Sequence, residues 1–452
     1  MGRGAEEFAD FLAAAGQSVW QILPTGPRAK GNSPYSPSSS FAGNSEYIDP
    51  EKLRDLGIIE TKDLKNCESA AEAVKLAARS IGGSESGYTR FLENESLWIE
   101  DFALYTAIRD FLGRERELWP ENIRRREQSA LREYSRKLKA ETELIKKTQY
   151  LFFVEWKAFK EYLKNRGIEL MGDLPIYPSS DSAEVWTKPE AFLLNERLEA
   201  GMLAGVPPDG FNDLGQLWSS PVYNWKGLKK ENYGFWIERL KKNLSLFEIL
   251  RIDHFRGLES YWAAPRGAEN ASNGGAWYPG PGRELIEKVN AELGAKMIVA
   301  EDLGILTPEV KELLAYSGWP STRVLQFGLE DGPRSEHFPG NIGFNCALYT
   351  GTHDNDTLKG FLDKAGEAGR ERYANMLGCG RNELFEGVIE AGMNSEARLF
   401  IVPMQDFLKL GSEARMNIPG VADGNWNWRS KLSDLSDKLA EKINELTKSS
   451  GR

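Results

Sequence analysis

Apolar positions along the chain fall into two rhythms. Short apolar runs bounded by polar or turn residues occur at 18–23, 168–173, 247–253, 296–301, 322–327, 346–354 and 397–404. Their length and flanks predict buried strands. Between them the spacing turns helical, as at 283–293, at 308–316, and at 5–15 with apolar Phe8, Phe11, Leu12 and Ala15 before Gly16. Strands alternating with helices, without internal repeats, predict parallel βαβ units. The architecture they point to is a (β/α)8 TIM-type barrel with helical insertions, seven of whose strands are legible. A doubly wound sheet is the alternative, but no strand–GxGxxG–helix fingerprint or Walker sequence supports it. Residues 51–166 carry helical periodicity, many charges and no clear strand, and Trp98, Phe102 and Tyr105 read there as packing residues. The expected organisation is therefore the start of the barrel with a substrate loop at 1–50, a mainly helical insertion at 51–166, and the rest of the barrel at 167–452.

Composition narrows the function classes. The chain has 452 residues, 27% of them charged, and a net charge of −10 without a long basic block. That argues against nucleic-acid or anionic-membrane partners. Cys67, Cys346 and Cys379 lack CxxC or Cys/His spacing, and only His254, His337 and His353 could serve as imidazole ligands. No disulfide framework, metal site or cofactor is expected. With no 18-residue apolar span and no signal-peptide pattern, a cytoplasmic protein is expected.

The chemistry gathers at the strand ends. Arg251-Ile252-Asp253-His254-Phe255-Arg256-Gly257 closes one strand, and residues i and i+2 of a strand share a face, so Arg251 and Asp253 project together. The adjacent guanidinium is expected to lower the carboxyl pKa and keep Asp253 ionised. Acids recur at other tips: Asp173, the Glu301-Asp302 pair, and Asp354 with Asp356 close by. Active sites of (β/α)8 barrels are built from the C-terminal ends of several strands. Two carboxyls across a sugar perform glycosidic chemistry, and a third can stabilise the oxocarbenium-like transition state. Each acid alone also fits a structural role, and alternation leaves open which member of each pair faces the mouth.

Six motifs, in order, add a resemblance: Ser33-Pro34-Tyr35, Gly172-Asp173-Leu174-Pro175, Gly205-Val206-Pro207-Pro208-Asp209, the 251–257 stretch, Ala300-Glu301-Asp302-Leu303-Gly304, and Gly351-Thr352-His353-Asp354-Asn355-Asp356-Thr357. From about residue 5 to 430 the chain resembles the amylomaltases, the 4-α-glucanotransferases or disproportionating enzymes of the α-amylase superfamily. The resemblance implies Asp253 as nucleophile, Glu301 as general acid/base and Asp354 as transition-state stabiliser. It selects Glu301 over Asp302 and Asp354 over Asp356. It implies that His353, and less directly His254, bonds sugar hydroxyls, with Arg251 supporting Asp253 and with Tyr35, Asp173, Gln216 and Trp218 lining a glucan groove. Trp225, Trp262 and Trp277 read as packing residues. Residues 274–280 match a flexible loop over the cleft, and 417–420 with Asn425-Trp426 match a segment reaching the groove. The implied reaction moves α-1,4-glucan segments to the 4-hydroxyl of glucose or maltooligosaccharide acceptors through a covalent glycosyl-Asp intermediate. A hydrolase using the same acids, or a non-catalytic glucan-binding protein, are the alternatives. Family members begin with a strand before the 5–15 helix, whereas this chain opens with Met1-Gly2-Arg3-Gly4, so the resemblance also implies that the first barrel strand is missing.

Overall fold

A computed structural model of the protein describes residues 1–29, 31–208, 213–421 and 423–452, and the Asp209 end of the 205–209 motif lies outside them. Among the described residues eleven strands form three sheets: β1 Val19–Gln21, β2 Glu169–Leu174, β3 Met202–Val206, β4 Gln216–Pro221, β5 Ile249–Ile252, β6 Ser260–Pro265, β7 Ala276–Pro279, β8 Met297–Ala300, β9 Ser321–Val324, β10 Cys346–Tyr349 and β11 Leu399–Ile401. One parallel ladder has the order β1-β2-β5-β8 and a second has β11-β10-β9. The ladders abut where the Ala300 amide donates to Pro320 O at 2.9 Å and Thr322 Oγ1 donates to Ala300 O at 2.9 Å. All seven strands predicted from the apolar runs are present, and they are the seven parallel ones.

Strands of both ladders share one interior. Met171, Ile249, Val299, Ala347 and Tyr349 are buried against one another, with Val19, Met297, Leu399 and Ile401 packed around them. Parallel strands covered on both faces read as near-continuous apolar runs, and β2 is buried from Leu170 onward with Asp173 as its one buried charge. Gly172 is needed on β2 because a Cβ there would lie 2.2 Å from the Phe247 ring.

Three strands end three or more residues short of their apolar runs. The 322–327 run leaves the ladder after Val324, and Leu325–Asp331 is a helix that buries Leu325 and Leu329 one turn apart. In 346–354 pairing stops at Tyr349, and in 397–404 it stops at Ile401, where Pro403 precedes the helical turn Met404–Phe407. A short apolar run has no periodicity with which to separate a strand end from a buried helix start.

The third sheet was not legible. The stretch 205–225, rich in loop-forming residues, holds the end of β3 and all of β4, and 274–280, expected as a flexible loop, holds β7; together with β6 they form the antiparallel sheet β4-β3-β6-β7. Gly205, a loop signal in sequence, sits in β3 because its partner strand crosses so closely that a Cβ would meet Gln216 O at 2.1 Å.

Residues 51–166 are helical with no strand. The helix Lys139–Lys164 buries Leu151, Phe152, Trp156 and Phe159 and carries this region onto the parallel strands. One buried cluster runs without a break from Leu53 and Trp98 through Trp156 to Leu250 and Ile298. No helix among the described residues is long and apolar enough to cross a membrane.

Candidate active site

The polar site is the next layer above the apolar interior. Asp173 stands opposite Arg251 in register, two residues above the Met171–Ile249 pair, so alternation aims both inward over the apolar layer. Arg251 Nη1 donates to Asp173 Oδ1 and Oδ2 at 2.8 and 2.7 Å and to Asp253 Oδ1 at 3.0 Å. The Tyr35 hydroxyl donates to Asp173 Oδ2 at 2.7 Å. Asp173 is only 2% exposed, so its carboxylate serves as the anchor of Arg251 and Tyr35. The expected i, i+2 pairing of Arg251 with Asp253 is present, but its electrostatic consequence is not. Burial pushes the Asp253 carboxyl well above the usual carboxylate range, Asp173, Glu301 and Asp354 add to it, and Arg251 is the opposing charge. One guanidinium shared between two aspartates does not outweigh desolvation.

Geometry separates the ambiguous pairs. After Ile252 and Ala300, which pair in register, come Asp253 and Glu301 at the tips of neighbouring strands. Glu301 Oε2 accepts the His254 amide at 2.7 Å and Oε1 accepts the Leu303 amide at 3.0 Å. Burial raises the proton affinity of Glu301, against Arg251 and these two amides. Asp302 turns the other way. It accepts the Thr322 amide at 2.6 Å and Arg323 Nη1 at 2.8 Å, is 1% exposed, and is pushed by burial up to about 6. Asp356 likewise faces away, bound to Lys364 Nζ at 2.5 Å and Ser412 Oγ at 2.7 Å. The Asp354 side chain keeps 43% of its surface exposed, with His353 Nε2 3.5 Å from its Oδ1.

Two histidines sit among these acids. Burial pushes His254 down to about 3, so the ring is neutral, and its buried Nε2 has no protein partner among the described residues. The backbone of His254 is left-handed, φ 54°, a conformation that costs a non-glycine residue energy and is concentrated at functional sites. Trp218 packs its ring edge-on to His254 at 4.8 Å. The His353 ring stacks on Tyr35 at 4.8 Å, with its Nδ1 3.3 Å from the Tyr35 hydroxyl. Burial also lowers the His353 pKa.

The remaining sequence-predicted groove residues sit on β4, where Gln216 and Trp218 share a face two residues apart and are both half-buried. Trp225 is buried against Tyr223 and Trp236. Trp262 and Trp277 pack together across β6 and β7 at 5.4 Å, with the Arg256 guanidinium over Trp277 at 3.7 Å. His337, the third histidine, accepts the Val324 amide at 3.1 Å through Nδ1 and lies apart from the acids.

Sequence reasoning missed the residues that hold the Asp354 loop. Buried Asp406 accepts from Thr350 Oγ1 at 2.6 Å and from the Leu358 amide at 2.7 Å, tying both ends of the 351–357 segment. Arg415 Nη2 donates to Asp354 O at 2.6 Å. No motif announced either residue, because each is remote in sequence from the loop it holds. Trp426, expected only as part of a groove-reaching segment, packs on Tyr35 and His353 at 5.6 and 5.7 Å.

Known proteins are similar to this chain over most of its length. A family model described as 4-alpha-glucanotransferase matches residues 1–435. A 4-alpha-glucanotransferase of Aquifex aeolicus is 42% identical over 446 residues, covering 95% of this chain and 91% of that protein. One from Thermus thermophilus is 39% identical over 476 residues, covering 100% and 95%. Among solved structures, the amylomaltase from Streptococcus agalactiae in complex with acarbose aligns with a TM-score of 0.95 at 34% identity, covering 100% of this chain and 95% of that one. The amylomaltase of Corynebacterium glutamicum shares the fold, with a TM-score of 0.77 at 20% identity over 98% of this chain and 71% of that one. With the match running through every strand tip described above, the chain belongs to the 4-alpha-glucanotransferase family.

Proposed function

We propose that the chain is a retaining 4-α-glucanotransferase in which Asp253 is the nucleophile, Glu301 the general acid/base and Asp354 the transition-state stabiliser. The observation that carries this reading is the placement of Asp253, oriented by Arg251, beside Glu301 at the ends of paired strands in a member of this family. In the first half-reaction Asp253 attacks the anomeric carbon of an α-1,4-linked glucose. The bond to the leaving O4 breaks, and Glu301 delivers its proton to that oxygen. In the second, Glu301 takes the proton of an acceptor 4-hydroxyl, whose oxygen attacks the same carbon and releases the Asp253 carboxylate. The two steps need one proton between the two acids. Burial raises both carboxyls, opposed at Asp253 by Arg251 and at Glu301 by Arg251 and the His254 and Leu303 amides, and the reaction as proposed starts with the shared proton on Glu301.

The substrates on this reading are α-1,4-glucans and maltooligosaccharides. The acarbose complex of the Streptococcus agalactiae relative supports a ligand of that class. Tyr35, His254, His353, Gln216 and Trp218 are the proposed sugar contacts, and Arg251 and Asp173 hold Tyr35 and Asp253 in place. We read the two abutting ladders as one (β/α)8-type wall, with residues 51–166 as a helical insertion, in a protein acting in the cytoplasm. Incubation with maltotriose tests the activity. Release of glucose with a ladder of longer oligosaccharides, abolished by Asp253→Ala, is the expected result, whereas reducing ends accumulating without a ladder would mean hydrolysis instead.

A further inference from the structure

We propose that Asn417 is a positioning residue that fixes the Asp354 carboxylate in its reactive orientation; this rests on reading Asp354 as the transition-state stabiliser. Asn417 Nδ2 lies 2.6 Å from Asp354 Oδ1, and a carboxylate only accepts, so the amide end facing it is the donor. The Asn417 backbone amide donates to His353 O at 3.0 Å, and Arg415 donates to both Asp354 O at 2.6 Å and Asn417 O at 2.8 Å. The side chain and backbone of one residue therefore grip two consecutive residues of the catalytic loop.

The gripping segment is itself braced. Buried Asn425 accepts the Ile418 amide at 3.0 Å and donates to Ile418 O at 3.1 Å and Val421 O at 2.9 Å. The Trp426 amide donates to Met416 O at 2.8 Å, and Trp426 holds a left-handed backbone, φ 66°, with its ring on Tyr35 and His353. A strained aromatic and a three-bonded asparagine closing one short segment give Asn417 a fixed base from which to aim its amide. Asp354 follows Tyr349 by five residues and leads into the helix Leu358–Lys364, so its loop has no ladder of its own to hold the carboxylate.

The test compares Asn417→Ala, Asn417→Asp and Asp354→Asn in the full chain, with maltotriose as substrate and kcat and KM measured from pH 4 to 9. Asn417→Ala is expected to lower kcat about tenfold to a hundredfold with KM changed less than about threefold, the scale on which a small misplacement of a reacting group acts. Asn417→Asp sets two carboxylates within hydrogen-bonding distance, so one of them is expected to bind its proton at higher pH than an ordinary carboxylate. Above that pH the variant has no donor for Asp354 and should be nearly inactive. Below it, the introduced acid donates in place of the amide and kcat should recover, which moves the optimum to lower pH than that of the parent. The charged and titratable neighbours are His353, Arg251, Arg415, Asp253 and Glu301, and they are common to parent and variant, so the difference between profiles reports this position. A merely structural asparagine would not give activity that returns with acid. Three results overturn the proposal: an Asn417→Ala loss carried by KM alone, an Asn417→Asp profile superimposing on the parent, or Asn417→Ala retaining parental kcat while Asp354→Asn is inactive. Parental activity in Asp354→Asn would instead remove the role of Asp354, and the proposal with it.

Discussion

Arg251 concentrates the electrostatics of the site in one side chain. It is 4% exposed and bonds Asp173 and Asp253 through the same nitrogen. Replacing it with lysine keeps a charge but, on a shorter side chain, withdraws it from the position of Nη1 that bonds both carboxylates. Asp253 is then left with burial and three neighbouring acids raising its proton affinity and less to oppose them. Arg251→Lys should therefore lower kcat/KM by about a hundredfold, and move the acid limb of the pH profile upward, because Asp253 would ionise only at higher pH. An acid limb that stays in place would show that another group governs it. The sequence announced Arg251 and Asp253 through their i, i+2 spacing, but it could not announce the sign of the shift. That sign depends on Asp173, Glu301 and Asp354 converging from three other strands. The choice of Glu301 over Asp302 was open for the same reason, since Thr322 and Arg323, the partners that turn Asp302 away, belong to the next strand.

At the scale of elements, the parallel strands were legible and the connections that make the site were not. Apolar runs announce strands buried on both faces, whereas the 351–357 loop is shaped by Asp406, which follows another strand. Burial pushes Asp406 up to about 6, above an unfolded value near 4. The folded state therefore binds the Asp406 proton more tightly than the unfolded chain does. Its contribution to stability is fully present below about pH 4 and is lost as pH rises through about 6. Asp406→Asn removes this titration while keeping an acceptor for the Leu358 amide. Relative to the variant, the parent should lose on the order of 2–3 kcal/mol between pH 4 and 7, read from denaturant unfolding of both proteins at each pH. A stability difference that is flat across this range would mean that Asp406 does not titrate there. The antiparallel sheet tells a related story: its strands were hidden by glycines and aromatics that read as loop, yet it carries Trp218 over His254. If Trp218 is a sugar contact as proposed, Trp218→Ala should raise KM for maltotriose about tenfold and lower kcat less, because the aromatic face is lost from binding and not from the acids. A loss confined to kcat would instead place Trp218 in orienting His254.

For the whole molecule, the question is whether the helical region and the parallel strands are one cooperative body. The charge-rich periodicity of 51–166 predicts a helical insertion flanked by or covering the main domain, and no property of those residues alone says what they pack on. In the fold they have no core of their own, because the buried cluster continues from Leu53 and Trp98 across the helix Lys139–Lys164 to Leu250 and Ile298. Trp156 is the bridge: it is 4% exposed, stacks on Phe152, meets Phe247 edge-on at 5.7 Å, and donates its indole N–H to Leu246 O at 3.2 Å. Truncating a buried tryptophan leaves a cavity and here strands a carbonyl, so Trp156→Ala should cost about 3–5 kcal/mol. A single core also requires that helix content and tryptophan environment be lost together on heating. Far-ultraviolet circular dichroism and tryptophan fluorescence should report one coincident transition in the parent, with Trp156→Ala lowering it as a unit. Two transitions, only one of them moved by Trp156→Ala, would show that the helical region melts independently and that the continuous cluster is two cores in contact.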